Sequence, residues 1–253
     1  MNTEKVDITP STVQEEVQAA VQASIAKVKE DATPPNPYQD RVYVFPEGLV
    51  PRKLSILLYP DKRLEEVSTP VEHFGSGLDQ FAANLVATAI ATDAAGLSAI
   101  QVGTAIRLMA VRIAKAKDFV VLVNPSFIEL SLTDMVLVEE GCLSFPGAKE
   151  KVDRARKVKV AYQDLKGEHR EMELVVDDPA TYVAGQAVQH EYEHLDGLLL
   201  LANLNLLHRD RVRLHMKQVH RKLEVIQKKS GGKFPPMQLL FGYVPDPEPK
   251  VAG

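Results

Sequence analysis

His190-Glu191-Tyr192-Glu193-His194 stands near the end of an apolar run that opens at Asp178-Pro179 and stops at Gly197. An aspartate cap, a proline just inside the start and a glycine just past the end mark a single helix. Residues four apart share a helix face, so His190 and His194 can reach one metal ion while Glu191 stands beside it. That is the arrangement of a metal-activated water with its own base.

Upstream of this helix the chain reads mostly as strands. Residues 54–59 suit a strand or an extended lead-in, and 78–92 an amphipathic helix. Residues 106–113, 119–123 and 127–132 read as strands, the last two separated by Asn124-Pro125, and 135–140 continue the sheet up to Gly141-Cys142. Residues 158–163 and 172–176 bracket Asp164-Leu165-Lys166-Gly167 and pair as a hairpin. Strands followed by one buried helix predict an α+β fold, with mixed or antiparallel sheets packed around the helix that carries H-E-x-x-H.

Working outward, residues 51–229 form the expected catalytic domain. Its end is a basic helix over 210–229, in a stretch with Arg209, Arg211, Arg213, Lys217, Arg221, Lys222, Lys228 and Lys229 against only Asp210 and Glu224. Residues 1–50 are expected to be an extension. Thr12-Val13-Gln14-Glu15 fits a capping box, and Val13, Val17, Val21, Ile25 and Val28 make a thin apolar stripe that ends before the stiff linker Pro34-Pro35-Asn36-Pro37. Residues 230–253 are a tail rich in proline and glycine in which no structure is expected, although 237–243 is apolar enough to pack back.

The 253 residues, 45% hydrophobic and 25% charged, suffice for one domain with a sizeable core. A net charge of −4 argues against a general nucleic-acid binder and leaves room for local basic patches. The N-terminal stretch is acidic, poor in arginine and without the apolar core of a signal peptide, and no run approaches a membrane span. A cytoplasmic monomer is the expectation.

Cys142 is the only cysteine, so it is either a small buried hydrophobe or a working thiolate. A hydrolytic metal site needs a third protein ligand and an open position. After His194 the next glutamate is Glu224, thirty residues on, and Leu200 occupies the place of a third histidine in H-E-x-x-H-x-x-G-x-x-H. Glu140-Gly141-Cys142-Leu143-Ser144 instead offers a thiol at the end of a predicted strand, which makes Cys142 the natural third ligand. A zinc endopeptidase would need some other ligand, and a non-catalytic peptide-binding or ribosome-binding protein is the remaining alternative.

Three ordered segments, Gly96-Leu97-Ser98-Ala99-Ile100-Gln101, Glu140-Gly141-Cys142-Leu143-Ser144 and Gln189-His190-Glu191-Tyr192-Glu193-His194-Leu195-Asp196-Gly197, resemble the signature motifs of peptide deformylase. The similarity covers about residues 54–229. It implies an enzyme that removes the formyl group from N-formyl-methionyl peptides and releases formate. By that resemblance Cys142, His190 and His194 hold Fe2+, with Zn2+, Ni2+ or Co2+ able to substitute. Glu191 is the implied base, and the Gln101 side chain and the Leu143 N–H the implied oxyanion donors. Ala95 and Gly96 would bind the peptide as an added strand, and Val138, Val183 and Ala187 would line the methionine pocket. Glu140, with Arg154 as a possible ion-pair partner, would support the site from behind. The basic helix would dock on the ribosome. The sequence departs from the family pattern at Ala94 and Ser98, usually glycine and alanine, and at Lys149 and Glu193, usually arginine and aspartate.

Overall fold

A computed structural model describes residues 37–113, 118–232 and 236–246. They fall within one compact unit, Asn36–Gly253. The strands are β1 (Gly96–Ser98), β2 (Leu108–Arg112), β3 (Phe119–Leu130), β4 (Met135–Gly141), β5 (Lys149–Ala155), β6 (Lys157–Gln163) and β7 (His169–Val175). The α-helices are α1 (Ser76–Ala91), α2 (Tyr182–Leu195), α3 (Leu206–Ser230) and α4 (Pro236–Phe241). The helix expected within residues 13–28 lies outside the described residues.

The described residues form two antiparallel sheets, one of five strands in the order β1-β2-β3-β6-β7 and one of two, β4-β5. Strands β2 and β3 are apolar on both faces because both faces are covered. Met109, Val111 and Leu122 pack with Ala184, Ala187 and Val188 of α2. Leu108, Ala110, Val121 and Val123 pack with Ala82, Leu85, Val86 and Ala89 of α1. Alternation along each strand sends neighbours to opposite faces, so a continuous apolar run is what a doubly covered sheet requires. Each fully buried side chain such as Leu122 contributes about 1.5–3 kcal/mol relative to exposure.

Several sequence expectations are corrected. Residues 119–132 do not divide at Asn124-Pro125, because β3 runs through with a shift of register between Val123 and Ser126. Asn124 takes a left-handed conformation (φ 49°). Its side chain accepts from the Val71 N–H at 2.8 Å and donates to Val71 O at 2.9 Å and Gln163 Oε1 at 2.8 Å. The residue that looked like a turn kinks the strand and stitches its neighbours together. Residues 135–140 do not extend the large sheet, since β4 pairs with β5. Residues 54–59 are extended without joining either sheet. The segment 178–181 forms turns instead of the first helical turn, with Thr181 N–H donating to Asp178 O at 3.0 Å, so α2 begins at Tyr182. Helix α3 starts at Leu206, four residues before Asp210, where the Asn205 side chain caps it by accepting from His208 N–H at 3.0 Å.

Past α2 the chain turns at Gly197, which has φ 72°. A Cβ there would sit 2.6 Å from Glu65 O, so the position needs glycine on both counts. Residues 37–43 lie on the body, with Tyr43 N–H donating to Phe119 O at 2.6 Å and the Tyr38 hydroxyl to Glu173 O. None of the described helices is long and apolar enough to cross a membrane.

Candidate active site

Helix α2 points its His190 and His194 face toward the end of β4, where the chain leaves the small sheet at Gly141-Cys142. One ligand atom from each of Cys142, His190 and His194 lies within 4.8 Å of the others, and Cys142 Sγ stands 3.2 Å from His194 Nε2. Metal bonds of about 2.0–2.3 Å in a tetrahedral site place ligand atoms roughly 3.3–3.8 Å apart, so this donor set fits a divalent ion. His194 is fully enclosed, and burial, with the neighbouring His190, pushes its imidazole well below the ordinary value.

His190 is held by a buried ion pair. Its Nδ1 lies 3.1 Å from Glu140 Oε2, which directs the other ring nitrogen toward the cluster. Glu140 in turn receives a two-pronged contact from Arg154, Nε to Oε1 at 2.8 Å and Nη2 to Oε2 at 2.7 Å. The same guanidinium binds Glu193 at 2.6 and 3.1 Å. Burial alone would raise the Glu140 carboxyl, but Arg154 and His190 outweigh it and hold it down to about 2. Glu193, one of the departures from the family pattern, thus shares the cation that fixes Glu140.

Glu191 is buried beside the cluster, and its Oε2 has no hydrogen-bond partner among the described residues. Burial pushes its carboxyl up to about 7, against the lowering effects of His190 and Ser98. A carboxyl poised near neutrality can both take and return a proton. Gly96 is required next to it, because a Cβ there would lie 2.7 Å from Glu191 Cγ.

Gln101 follows β1 in a short 3-10 turn, Ala99–Val102. Its Oε1 accepts from Ser98 N–H and from the Ser98 hydroxyl, each at 2.9 Å. The amide nitrogen is thereby aimed at Ser144 Oγ (3.4 Å) and Cys142 Sγ (3.6 Å). Ser98, one of the departures from the family pattern, is a hydroxyl with a task. The spacing from Ser98 to Gln101 is that of a capping box, a signal in the sequence that could have found this pairing.

One cleft joins these groups, lined by Ala95 and Gly96, by Gln101, by Glu139 to Leu143, and by Gln186, Ala187, His190 and Glu191. Lys149, which also lines it, pairs loosely with Glu139 at 3.7 Å. Ala95 differs from Gly96 in one respect: its carbonyl already accepts from Arg112 N–H at 2.8 Å. Successive residues of a strand turn their backbone groups to opposite sides, so those of Gly96 face the open edge of β1. Val138 sits in the core cluster of the small sheet and Val183 is half-buried on α2, and neither is among the residues lining the cleft. Of the three residues read as a methionine pocket, Ala187 alone lines it. Gln186, unnoticed in the sequence, joins Ala187 there, and its Nε2 is buried without a partner among the described residues. It lies four residues before His190 and therefore on the same helix face, a spacing that could have revealed it.

The family model described as polypeptide deformylase matches residues 53–210. A peptide deformylase of Helicobacter pylori strain Shi470 is 34% identical over 174 residues, covering 66% of this chain and 95% of the relative. One from Afipia carboxidovorans is 38% identical over 160 residues, covering 62% and 90%. The solved structure of a peptide deformylase from Legionella pneumophila superposes with a TM-score of 0.62 at 31% identity, covering 68% of this chain and 98% of that one. With family model, relatives and fold all agreeing, the chain belongs to the polypeptide deformylase family, the metal-dependent hydrolases that take the formyl group from the N-terminal methionine of nascent chains.

Proposed function

We propose that Cys142, His190 and His194 hold a ferrous ion, with zinc, nickel or cobalt able to take its place, and that Glu191 is the base of the deformylation reaction. The observation that carries this reading is the meeting of one thiol and two imidazoles, within 4.8 Å of one another, beside the buried Glu191 carboxyl, whose Oε2 has no hydrogen-bond partner among the described residues. A bound divalent ion would supply Lewis acidity to the water and to the formyl oxygen. Glu191 takes the proton from that water as its oxygen bonds to the formyl carbon, and gives it to the amine nitrogen as the C–N bond breaks. The Gln101 amide and the Leu143 N–H donate to the oxygen on which charge develops. Formate and a free N-terminal methionine are the products.

The open edge of β1 supports a binding mode in which the substrate adds as a strand, pairing with the backbone of Gly96. Ala187 and Gln186 then take the methionine side chain on the α2 side. The test is formate release by the metal-loaded protein from formyl-Met-Ala-Ser. Rapid release is expected, and Glu191→Ala should lower kcat by about 10²–10⁴-fold with metal retained. Undiminished turnover in that variant would remove Glu191 from its role.

The ribosome contact is proposed for a narrower surface than the charge run suggests. Arg209 donates to the carbonyls of Ala202 and Leu204, Arg211 pairs with Glu150, and Arg213 with Asp210. Lys217, Arg221, Lys222, Lys228 and Lys229 are exposed and form no ion pair among the described residues. These five are the side chains free to meet RNA phosphates.

A further inference from the structure

The substrate cleft has a wall that comes from outside the family-matched residues 53–210. Leu240 and Phe241, at the end of α4, line the same cleft as Gln101, Cys142, Leu143 and Glu191. The segment bearing them is fastened at both ends. Met237 is buried, and its sulfur accepts from Ile56 N–H at 3.3 Å. Tyr243 is buried too, with its hydroxyl donating to Leu54 O at 2.6 Å. Beyond it, Asp246 N–H donates to Lys53 O at 2.9 Å, and the Asp246 carboxylate accepts from Lys53 N–H at 2.7 Å. Between these fastenings, Leu240 and Phe241 pack in one apolar cluster with Leu58, Ala91, Val102 and Leu143, and each keeps partial exposure on the cleft side.

We infer that Leu240 and Phe241 form a subsite for an apolar side chain at the residue that follows formyl-methionine. This rests on the site reading above, in which the peptide lies extended along Gly96. Successive side chains of an extended peptide point to opposite faces. The first points to α2, where Ala187 and Gln186 stand in the cleft. The second therefore points away from α2, toward the cluster that joins Leu143 to the tail. Two large apolar side chains partly open to a cleft favour a leucine or phenylalanine there over glycine, because such a residue removes apolar surface of both partners from water.

The experiment compares kcat/KM for formyl-Met-Leu-Ser and formyl-Met-Gly-Ser, using the full-length metal-loaded chain and a Leu240→Ala/Phe241→Ala variant in which Met237 and Tyr243 keep the tail in place. The native chain is expected to favour the leucine peptide by about tenfold, mainly through KM. In the variant the ratio should fall below about threefold, with the thermal midpoint checking that the fold is kept. A native ratio near one would overturn the inference without recourse to any variant. So would a variant that keeps the native ratio. Absence of formate from both peptides, with one metal per chain, would overturn the site assignment and this subsite together.

Discussion

Helices α2 and α3 are neighbours in sequence and opposites in construction. In α2, nine of the fourteen residues are buried, including Gln189, His190, Glu191 and His194. In α3, twenty-five residues long, only Val212, Met216 and Leu223 are buried. A buried polar group must find a partner or destabilise the fold, and in α2 Gln189 bonds the backbone of Ala155 and His190 bonds Glu140, while Gln186 Nε2, Glu191 Oε2 and His194 Nδ1 are left without a partner among the described residues, all three at or beside the cluster. Helix α3 is held by a thin apolar seam and by polar tethers, with His215 Nε2–H donating to Pro146 O at 2.9 Å and His220 Nε2–H to Tyr59 O at 2.6 Å. The contrast separates a helix that positions chemistry from one that presents a surface.

The largest effect that would sharpen the contrast is expected at Arg154. Replacing Arg154 by alanine leaves Glu140 and Glu193 without their shared cation in a buried setting, at a cost of about 3–5 kcal/mol. Loss of the support behind His190 should also weaken metal binding by about 10–100-fold. Denaturant unfolding and metal titration measure the two effects, and a loss under about 1 kcal/mol would break the distinction drawn here.

A middling effect is expected at Glu150, where β5 meets α3. Burial pushes its carboxyl up, but Arg211 and His208 outweigh that and leave it below its ordinary 4.5. A carboxyl depressed on folding stabilises the native state fully above its unfolded value and loses that contribution as pH falls through the folded one. Glu150→Gln should therefore cost about 1 kcal/mol at pH 7. The difference from the native chain should shrink as the pH drops below 4.5. Parallel unfolding curves at pH 7 and pH 3 decide it, and a gap that widens in acid would contradict the sign.

The smallest effect on stability belongs to the exposed face of α3. Lys217→Glu, Arg221→Glu and Lys222→Glu should each shift unfolding by no more than about 0.5 kcal/mol. Formate release from a short peptide should be unaffected while co-sedimentation with ribosomes is lost at moderate salt. Unchanged co-sedimentation would dispose of the ribosome proposal, and a large loss of stability would show that α3 is no mere surface.

The difference between these helices also explains what could be read from the chain. Helix α2 was legible because its apolar run is bounded and its histidines are four apart, and β2 and β3 because both faces of their sheet are apolar. Strand β5 was not, although it alternates cleanly in the structure. Its inward residues are Glu150, Val152 and Arg154, and two inward charges hide the period-2 pattern that marks a strand. Both charges face inward for a reason: Arg154 holds the site together and Glu150 fastens α3. The tail at Met237–Tyr243 was recognised as apolar, but its place was not, since a few large side chains in a short segment carry no record of which surface they cover. Ser98 was noticed only as a departure from the family pattern, although its spacing to Gln101 is that of a capping box on the 3-10 turn.

That turn has a thermal consequence. With its oxygen gripped twice by Ser98, the Gln101 side chain has already given up its rotational freedom when the protein folds. Nothing more must be frozen as a substrate arrives, so in the role proposed for it Gln101 would add little unfavourable entropy to the activation barrier. A looser amide would be released progressively by warming, whereas this one should keep its aim until the 3-10 turn itself melts.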